Sequence, residues 1–334
     1  MAAAAVPVID ISSCRRGDSA ARRAVAMEID RTCREIGFMV IRGHGVDPAL
    51  IEAVEATSRA FFDLPLAEKM RIVRPAPDVT RGYMPLEAEV LVRSRGGSAA
   101  GDLNESLMIG PVDVGGTGYY TAAAAGRHFA PNLWPERPAG LRDAYERYYR
   151  VMDALAVDLM RLFALALDLP EAHFDVSVDR SISRLRVRNY PAPEVPPEPG
   201  QLRAGAHSDY GSLTILKTED RPGGLQVQGR DGRWFDVPHV PGTFVVNVGD
   251  MLARWTNDRW VSTLHRVVNP RPDRVAGSRR QSVVFFQNPN YDAVVSCLPS
   301  CTDADHPPKY PPTTAGGHLR EKFLATQQAI PYVD

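Results

Sequence analysis

Two histidines and one aspartate stand at spacings that suit a metal ion. His207-Ser208-Asp209 opens the run 207–216, which reads as a β-strand. Successive strand side chains alternate between faces, so the imidazole and the carboxylate are expected on the same one. An inward carboxylate on a strand is costly unless it is paired or coordinated. A third ligand type, His265, follows in the short apolar run 261–268. Two histidines and one carboxylate on one face of an iron(II) ion leave three positions open, which suits oxygen chemistry. The same three groups plus a water would also serve a zinc hydrolase. The remaining histidines, His44, His128, His173, His239, His306 and His318, have no carboxylate at strand spacing within a β-like run and read as structural residues.

Arg280-Gln281-Ser282 opens the last β-like run, so Arg280 and Ser282 are expected to share a strand face. A guanidinium is a planar fork that grips a carboxylate with two charge-assisted hydrogen bonds, and a nearby hydroxyl can add a third. Such a grip fits one end of a dicarboxylate whose 2-oxo acid end binds the metal, leaving one metal position for dioxygen. A zinc hydrolase would leave Arg280 and Ser282 without a purpose. A non-catalytic jelly roll that binds a small molecule is a reading of another class.

These residues need elements to hold them. A short strand is expected over 6–11, an amphipathic helix over 18–36, a strand over 38–41 and a helix over 48–62 stopped by Leu64-Pro65. The segment 71–138 is rich in Gly, Pro and Ser and reads as loops and short strands. Within it, 93–101 is expected to be a surface loop able to cover an opening. A long helix or helix pair is expected over 141–169, with Tyr145, Tyr148, Val151, Met152, Leu155, Leu159, Leu162 and Phe163 as its packed stripe. Six short β-like runs follow, at 182–190, 212–217, 225–228, 244–248, 265–268 and 282–287, and their spacing points to a sandwich or jelly roll. Trp234, Trp255 and Trp260 read as structural.

The chain has 334 residues, 44% hydrophobic and 24% charged, with a net charge of −1. This is ordinary globular composition, and the charge gives no reason to expect nucleic acid or an anionic membrane as partner. The expected partner is a small-molecule substrate. Four cysteines without a Cys-x-x-Cys pair argue against a disulfide framework and a thiolate zinc site, which fits a reducing, cytoplasmic setting. No secretory leader and no membrane span is read.

The order and rough spacing of His207-x-Asp209, His265 and Arg280-x-Ser282 resemble the His-x-Asp…His…Arg-x-Ser pattern of the isopenicillin N synthase-like iron(II)/2-oxoglutarate-dependent dioxygenases. Other pieces are similar to that family as well: Val6-Pro7-Val8-Ile9-Asp10, Glu35-Ile36-Gly37-Phe38, His44-Gly45, Phe61–Pro65, Gly223–Val227, Val246–Asp250 and Asn288-Pro289. The resemblance implies a mainly β fold with α additions. Its core would be a distorted double-stranded β-helix, or jelly roll, with an N-terminal mixed region (1–135), and a long supporting helix and the catalytic core in one compact unit (136–334). It makes His207, Asp209 and His265 the iron ligands, Arg280 and Ser282 the anchor for the distal carboxylate of 2-oxoglutarate, and Tyr190 a helper in that grip. The implied reaction oxidises, most commonly hydroxylates, a small organic molecule with release of succinate and CO2, using O2, with ascorbate as a stimulant. An oxidase or cyclase of isopenicillin N synthase type, which needs no 2-oxoglutarate, is the alternative within the family. Many relatives have Asn two residues before the tyrosine, where this chain has Arg188. Alternation puts Arg184, Arg186, Arg188 and Tyr190 on one side, and a buried arginine needs an anionic partner. A substrate carboxylate for Arg186 or Arg188 is one expectation; pairing with acidic loop residues, or snorkelling out of the barrel mouth, is the other.

Overall fold

The computed structural model describes residues 6–326 apart from 17, 77 and 98. A large sheet has the order β1 (Val8–Asp10), β2 (Phe38–Arg42), β10 (Phe244–Val248), β7 (Leu213–Thr218), β12 (Arg280–Gln287), β5 (Arg184–Tyr190), β4 (Glu105–Ile109) and β3 (Gly82–Met84). A small sheet has the order β6 (Ala204–His207), β11 (His265–Val267), β8 (Leu225–Gln228) and β9 (Trp234–Asp236). Within both sheets the ladders are antiparallel except between β1 and β2. The six expected β-like runs correspond to β5, β7, β8, β10, β11 and β12; β3, β4, β6 and β9 lie outside them. The N-terminal strands β1–β4 extend the large sheet at both of its edges.

The large sheet is buried on both faces, but the faces differ. Leu185 and Val187 of β5, Leu213 and Ile215 of β7, Val246 and Val248 of β10, and Val283 and Phe285 of β12 join a core shared with the helices. The alternate residues face the small sheet. Phe38, Val40, Tyr190 and Val245 meet Ala204, Leu225, Val227 and Val267 in a second apolar cluster. The polar residues of that inner face, including Arg186, Arg188, Thr214, Asn247, Arg280 and Ser282, are buried too. A sheet buried on both faces would be expected to read as continuous apolar runs. Polar residues in every second position therefore mark an interior with something polar to hold. This is a jelly-roll core, mainly β with α additions.

The helices lie as the periodicity expects. α1 (Ser19–Glu35) is capped by Asp18, whose carboxylate accepts the Ala20 and Ala21 N–H groups. α2 (Pro48–Phe62) begins on Asp47 with proline in its first turn, and α3 (Leu66–Met70) follows Pro65. α4 (Leu141–Ala166) packs on α1 and α2 through the expected stripe, except that Val151 is 37% exposed. α5 (Asp175–Val178) and α6 (Asp250–Trp255) are short, and α7 (Ala315–Thr326) lies beside the segment after Val90. Trp255 and Trp260 are buried, and the Arg266 guanidinium covers Trp234 at 4.1 Å. The four cysteines are free thiols. Among the described residues no helix is long and apolar enough to cross a membrane.

Candidate metal centre

His207 ends β6 and His265 begins β11, and the two are direct partners in the small sheet. Their rings are 4.3 Å apart. Asp209, expected on the same strand as His207, stands instead in the turn by which the chain leaves the small sheet for β7 of the large one. The turn is held by backbone: Asp250 N–H donates to Asp209 O at 2.7 Å, and Met251 N–H donates to Gly211 O. Contacts here are so close that a Cβ at Gly249 would stand 2.3 Å from Gly211 O. Two positions past His207, beyond the end of β6, the Asp209 side chain lies on the same side as the two histidines.

Ligand atoms of His207, Asp209 and His265 all lie within 4.8 Å of one another. Among the described residues no other three His, Cys, Asp or Glu side chains converge in this way. Asp209 Oδ1 is 3.9 Å from His207 Nε2 and 3.6 Å from His265 Nε2. The atoms facing away are committed. His207 Nδ1 donates to Gly205 O at 2.8 Å and His265 Nδ1 to Thr263 O at 3.1 Å, which leaves each Nε2 lone pair facing the centre. Asp209 Oδ2 accepts from Thr214 Oγ1 at 2.6 Å and from Asn247 Nδ2 at 2.8 Å. Phe38 sets its ring edgewise to His265.

Burial opposes charge on all three groups, with different results. Burial would raise the Asp209 carboxyl, but the two histidines and the Thr214 hydroxyl outweigh it and hold it well below the usual carboxylate range. Burial and the neighbouring His265 push His207 down to about 3. Burial also works against charge on His265, yet the Asp209 carboxylate carries it above its usual value. A buried carboxylate with two imidazole lone pairs turned toward it is a donor set that fits a divalent first-row ion.

Two cavities meet at this centre, and both are lined by Arg188, His207, Asp209 and Phe286. The inner one continues past Thr214 and Leu216 to Tyr190, Arg280 and Ser282. Here Ser282 Oγ donates to Tyr190 Oη at 3.3 Å, and the Arg280 guanidinium lies 5.7 Å from the Tyr190 ring centre. Among the described residues Arg280 donates only to backbone oxygens, Gly223 O and Glu219 O, at 3.2 and 3.4 Å, and its buried Nε meets no acceptor. A buried guanidinium so weakly satisfied is set for an anion.

The outer cavity is lined by Glu89, Leu91, Met108, Arg184, Arg186 and Leu319. Of the expectations for the arginines, the pairing with an acidic loop residue is seen here. Arg186 and Arg188 reach the cavity, and both pair with a loop acid: Arg186 Nη1 and Arg188 Nη1 donate to the two oxygens of Glu89 at 3.0 and 2.8 Å. Arg186 also donates to Ser106 Oγ and Met84 Sδ, and Arg188 Nη1 also donates to Asn104 Oδ1. Among the described residues neither Nε nor Nη2 of Arg188 meets an acceptor. Glu89 and Leu91, just ahead of the glycine-rich 93–101, line the cavity. At the C-terminal side Leu319 of α7 lines the cavity. Sequence reading missed Glu89, Asn247 and Leu319; only the inward position of Asn247 on a β-branched strand carried a signal.

The chain is similar over nearly its whole length to proteins of known type. Residues 6–137 match the family described as the N-terminal region of the non-haem dioxygenase in morphine synthesis, and residues 181–289 match the 2OG-Fe(II) oxygenase superfamily. The 2-oxoglutarate-Fe(II) type oxidoreductase hxnY of Emericella nidulans is 35% identical, with 97% of this chain and 90% of that protein covered. Homoarginine-6-hydroxylase 2-ODD-233 of Oryza sativa is 32% identical, with 96% and 97% covered. The crystal structure of a full-length Neurospora crassa protein in complex with alpha-KG and thymine has a TM-score of 0.83 at 32% identity, covering 96% of each chain. Relatives solved with the cosubstrate bound favour its use here over a cyclase that dispenses with it and over a non-catalytic binder. With matches that run nearly end to end and a metal centre beside an anion grip, the chain belongs to the 2OG-Fe(II) oxygenase superfamily and is an oxidoreductase that uses iron(II) and 2-oxoglutarate.

Proposed function

We propose that His207, Asp209 and His265 hold the iron(II), that Arg280, Ser282 and Tyr190 hold the distal carboxylate of 2-oxoglutarate, and that a small substrate occupies the outer cavity with an oxygen-rich group, a carboxylate above all, on Arg188. The observation that carries this reading is the convergence of three ligand atoms within 4.8 Å where the two cavities join. When bound, iron(II) with 2-oxoglutarate and dioxygen supplies the oxidant, and succinate and CO2 are the cosubstrate's products. The chain's own part is placement. Thr214 and Asn247 fix Asp209 through Oδ2 and so present Oδ1 to the metal. Gly205 O and Thr263 O fix the histidine tautomers. Leu91, Met108, Phe286 and Leu319 give the outer cavity apolar walls that keep water from the oxidising centre. Arg188 lines both cavities, so a group bound there brings a substrate carbon to the metal's open side.

Hydroxylation is the reaction named for the rice relative, and we take it as the outcome here. The rice homoarginine-6-hydroxylase and the thymine complex of the Neurospora crassa protein support a small polar substrate. The test is succinate release with iron(II), 2-oxoglutarate and ascorbate against a panel of amino acids, peptides, terpenoids and polyketides. A carboxylated member is expected to stimulate succinate formation. Asp209→Ala is expected to abolish both metal binding and succinate formation, and retained activity would overturn the assignment.

A further inference from the structure

Arg203 is the residue just before β6, and it is fully buried. Its guanidinium forms no ion pair among the described residues; its acceptors are Pro222 O at 2.8 Å, Pro191 O at 3.2 Å, Ser278 O at 2.8 Å and Ser278 Oγ at 3.1 Å. These acceptors belong to three separate segments. Pro191 follows Tyr190 at the end of β5, Ser278 stands two residues before Arg280 at the start of β12, and Pro222 precedes Gly223, whose carbonyl receives Arg280 Nη1. Gly223 fits against this hub: with φ at +74°, a Cβ there would stand 2.9 Å from Arg203 Nη1. One side chain thus ties together the strand ends from which Tyr190 and Arg280 reach the inner cavity and the segment whose Gly223 carbonyl accepts from Arg280. Arg203 O accepts from Asn104 Nδ2, and Asn104 Oδ1 accepts from Arg188, so the hub also joins the metal side of the site.

Charge adds a second reason. Burying an unpaired guanidinium is costly; three carbonyls and a hydroxyl take its Nη1 and Nη2 donors without neutralising it, and among the described residues its buried Nε meets no acceptor. Arg280 stands near with only carbonyl partners as well. Burial, and then the positive charge of Arg280, pull Arg203 down to about 10. Two cations this close, neither in an ion pair among the described residues, would be relieved by an anion from outside.

Resting on the reading of the inner cavity as the cosubstrate chamber, we propose that Arg203 is a positioning residue for 2-oxoglutarate: it does not line the chamber, but it fixes the strand ends that form the distal-carboxylate grip and backs that grip with a second positive charge. Its role is specific to the distal carboxylate and separate from the metal end.

The test is calorimetric titration of manganese(II)-loaded protein without oxygen, using 2-oxoglutarate and, in parallel, oxalate, which chelates the metal but has no distal carboxylate. Arg203→Gln is expected to weaken 2-oxoglutarate roughly ten- to hundredfold while metal and oxalate affinities stay as in the unaltered protein. Arg203→Lys, which keeps the charge and loses the fork, is expected to fall between the two and carries the test if Arg203→Gln does not fold. Equal loss of oxalate and 2-oxoglutarate, or no loss of either, would overturn the proposal. Failure of the unaltered protein to bind 2-oxoglutarate would instead remove the cosubstrate reading on which it rests.

Discussion

Glu89 gives its two oxygens to two guanidiniums, and the cluster keeps one positive charge after that pairing. Burial would raise the Glu89 carboxyl, but Arg186 and Arg188 outweigh it and hold it well below its usual range. The two arginines differ in what remains to them. Arg186 is spent on Glu89, Ser106 and Met84, whereas Arg188 keeps two nitrogens without an acceptor and lines both cavities. Replacing each by methionine should therefore give opposite signatures. Arg186→Met should cost about 1–3 kcal/mol of stability, as expected for a broken buried pair whose acid keeps one partner, and leave the substrate KM close to its starting value. Arg188→Met should raise the substrate KM by about tenfold or more with a smaller loss of stability. Thermal unfolding and steady-state succinate assays on the same preparations separate the two, and a KM effect confined to Arg186→Met would refute the assignment.

At the level of elements, the turn between β6 and β7 shows what sequence can and cannot say. His207, Asp209 and His265 were legible as a set because their types suit one ion, and the ligand atoms converge as expected, although β6 ends at His207 and leaves Asp209 beyond the paired strand. A turn of this kind is set by close backbone packing, and the residues that set it, Gly211 and Gly249, carry no pattern of period two. The six β-like runs were legible because each has an apolar side, turned to the helices in β5, β7, β10 and β12 and to the large sheet in β8 and β11. β6 was not: its alanines and glycine give no alternation, and it is a strand because β11 pairs with it. Glu89 was illegible for another reason, since its partners lie about a hundred positions later in the chain. The turn's dependence on glycine can be tested directly. In Gly249→Ala the new methyl meets Gly211 O at 2.3 Å and Asp209 O at 3.1 Å, so the turn must shift. Overpacking of this kind costs about 1–3 kcal/mol, and here it displaces a ligand-bearing segment. Metal affinity, measured by anaerobic titration, is expected to fall together with Tm; a drop in Tm at unchanged metal affinity would show that the turn does not position Asp209.

Across the whole molecule, the site depends on how firmly the large sheet is backed by α4. Two contacts join that helix to the entry of β5, the strand that carries the pocket arginines: Tyr149 Oη donates to Ser183 O at 3.0 Å, and Ser181 Oγ donates to Asp153 Oδ1 at 3.2 Å. Burial pushes the Asp153 carboxyl up to about 6 from an ordinary 3.8, and the Ser181 hydrogen bond only partly offsets it. The folded protein therefore binds this proton more tightly than the unfolded chain does. Between 3.8 and about 6 the native state holds more protons at this position, so stability falls as pH rises through that window. Above it the full cost of a buried carboxylate is present, and below it none is. Asp153→Asn keeps an oxygen acceptor for Ser181 and removes the charge. It should stabilise the protein by about 1–2 kcal/mol near neutral pH, or roughly a few degrees in Tm. The gain should shrink as pH is lowered through the window and vanish near its lower end. Thermal unfolding of both proteins across that range reads the effect as a difference between two curves, and a gain that is the same at every pH would refute the account of Asp153 as an ionised burden on α4.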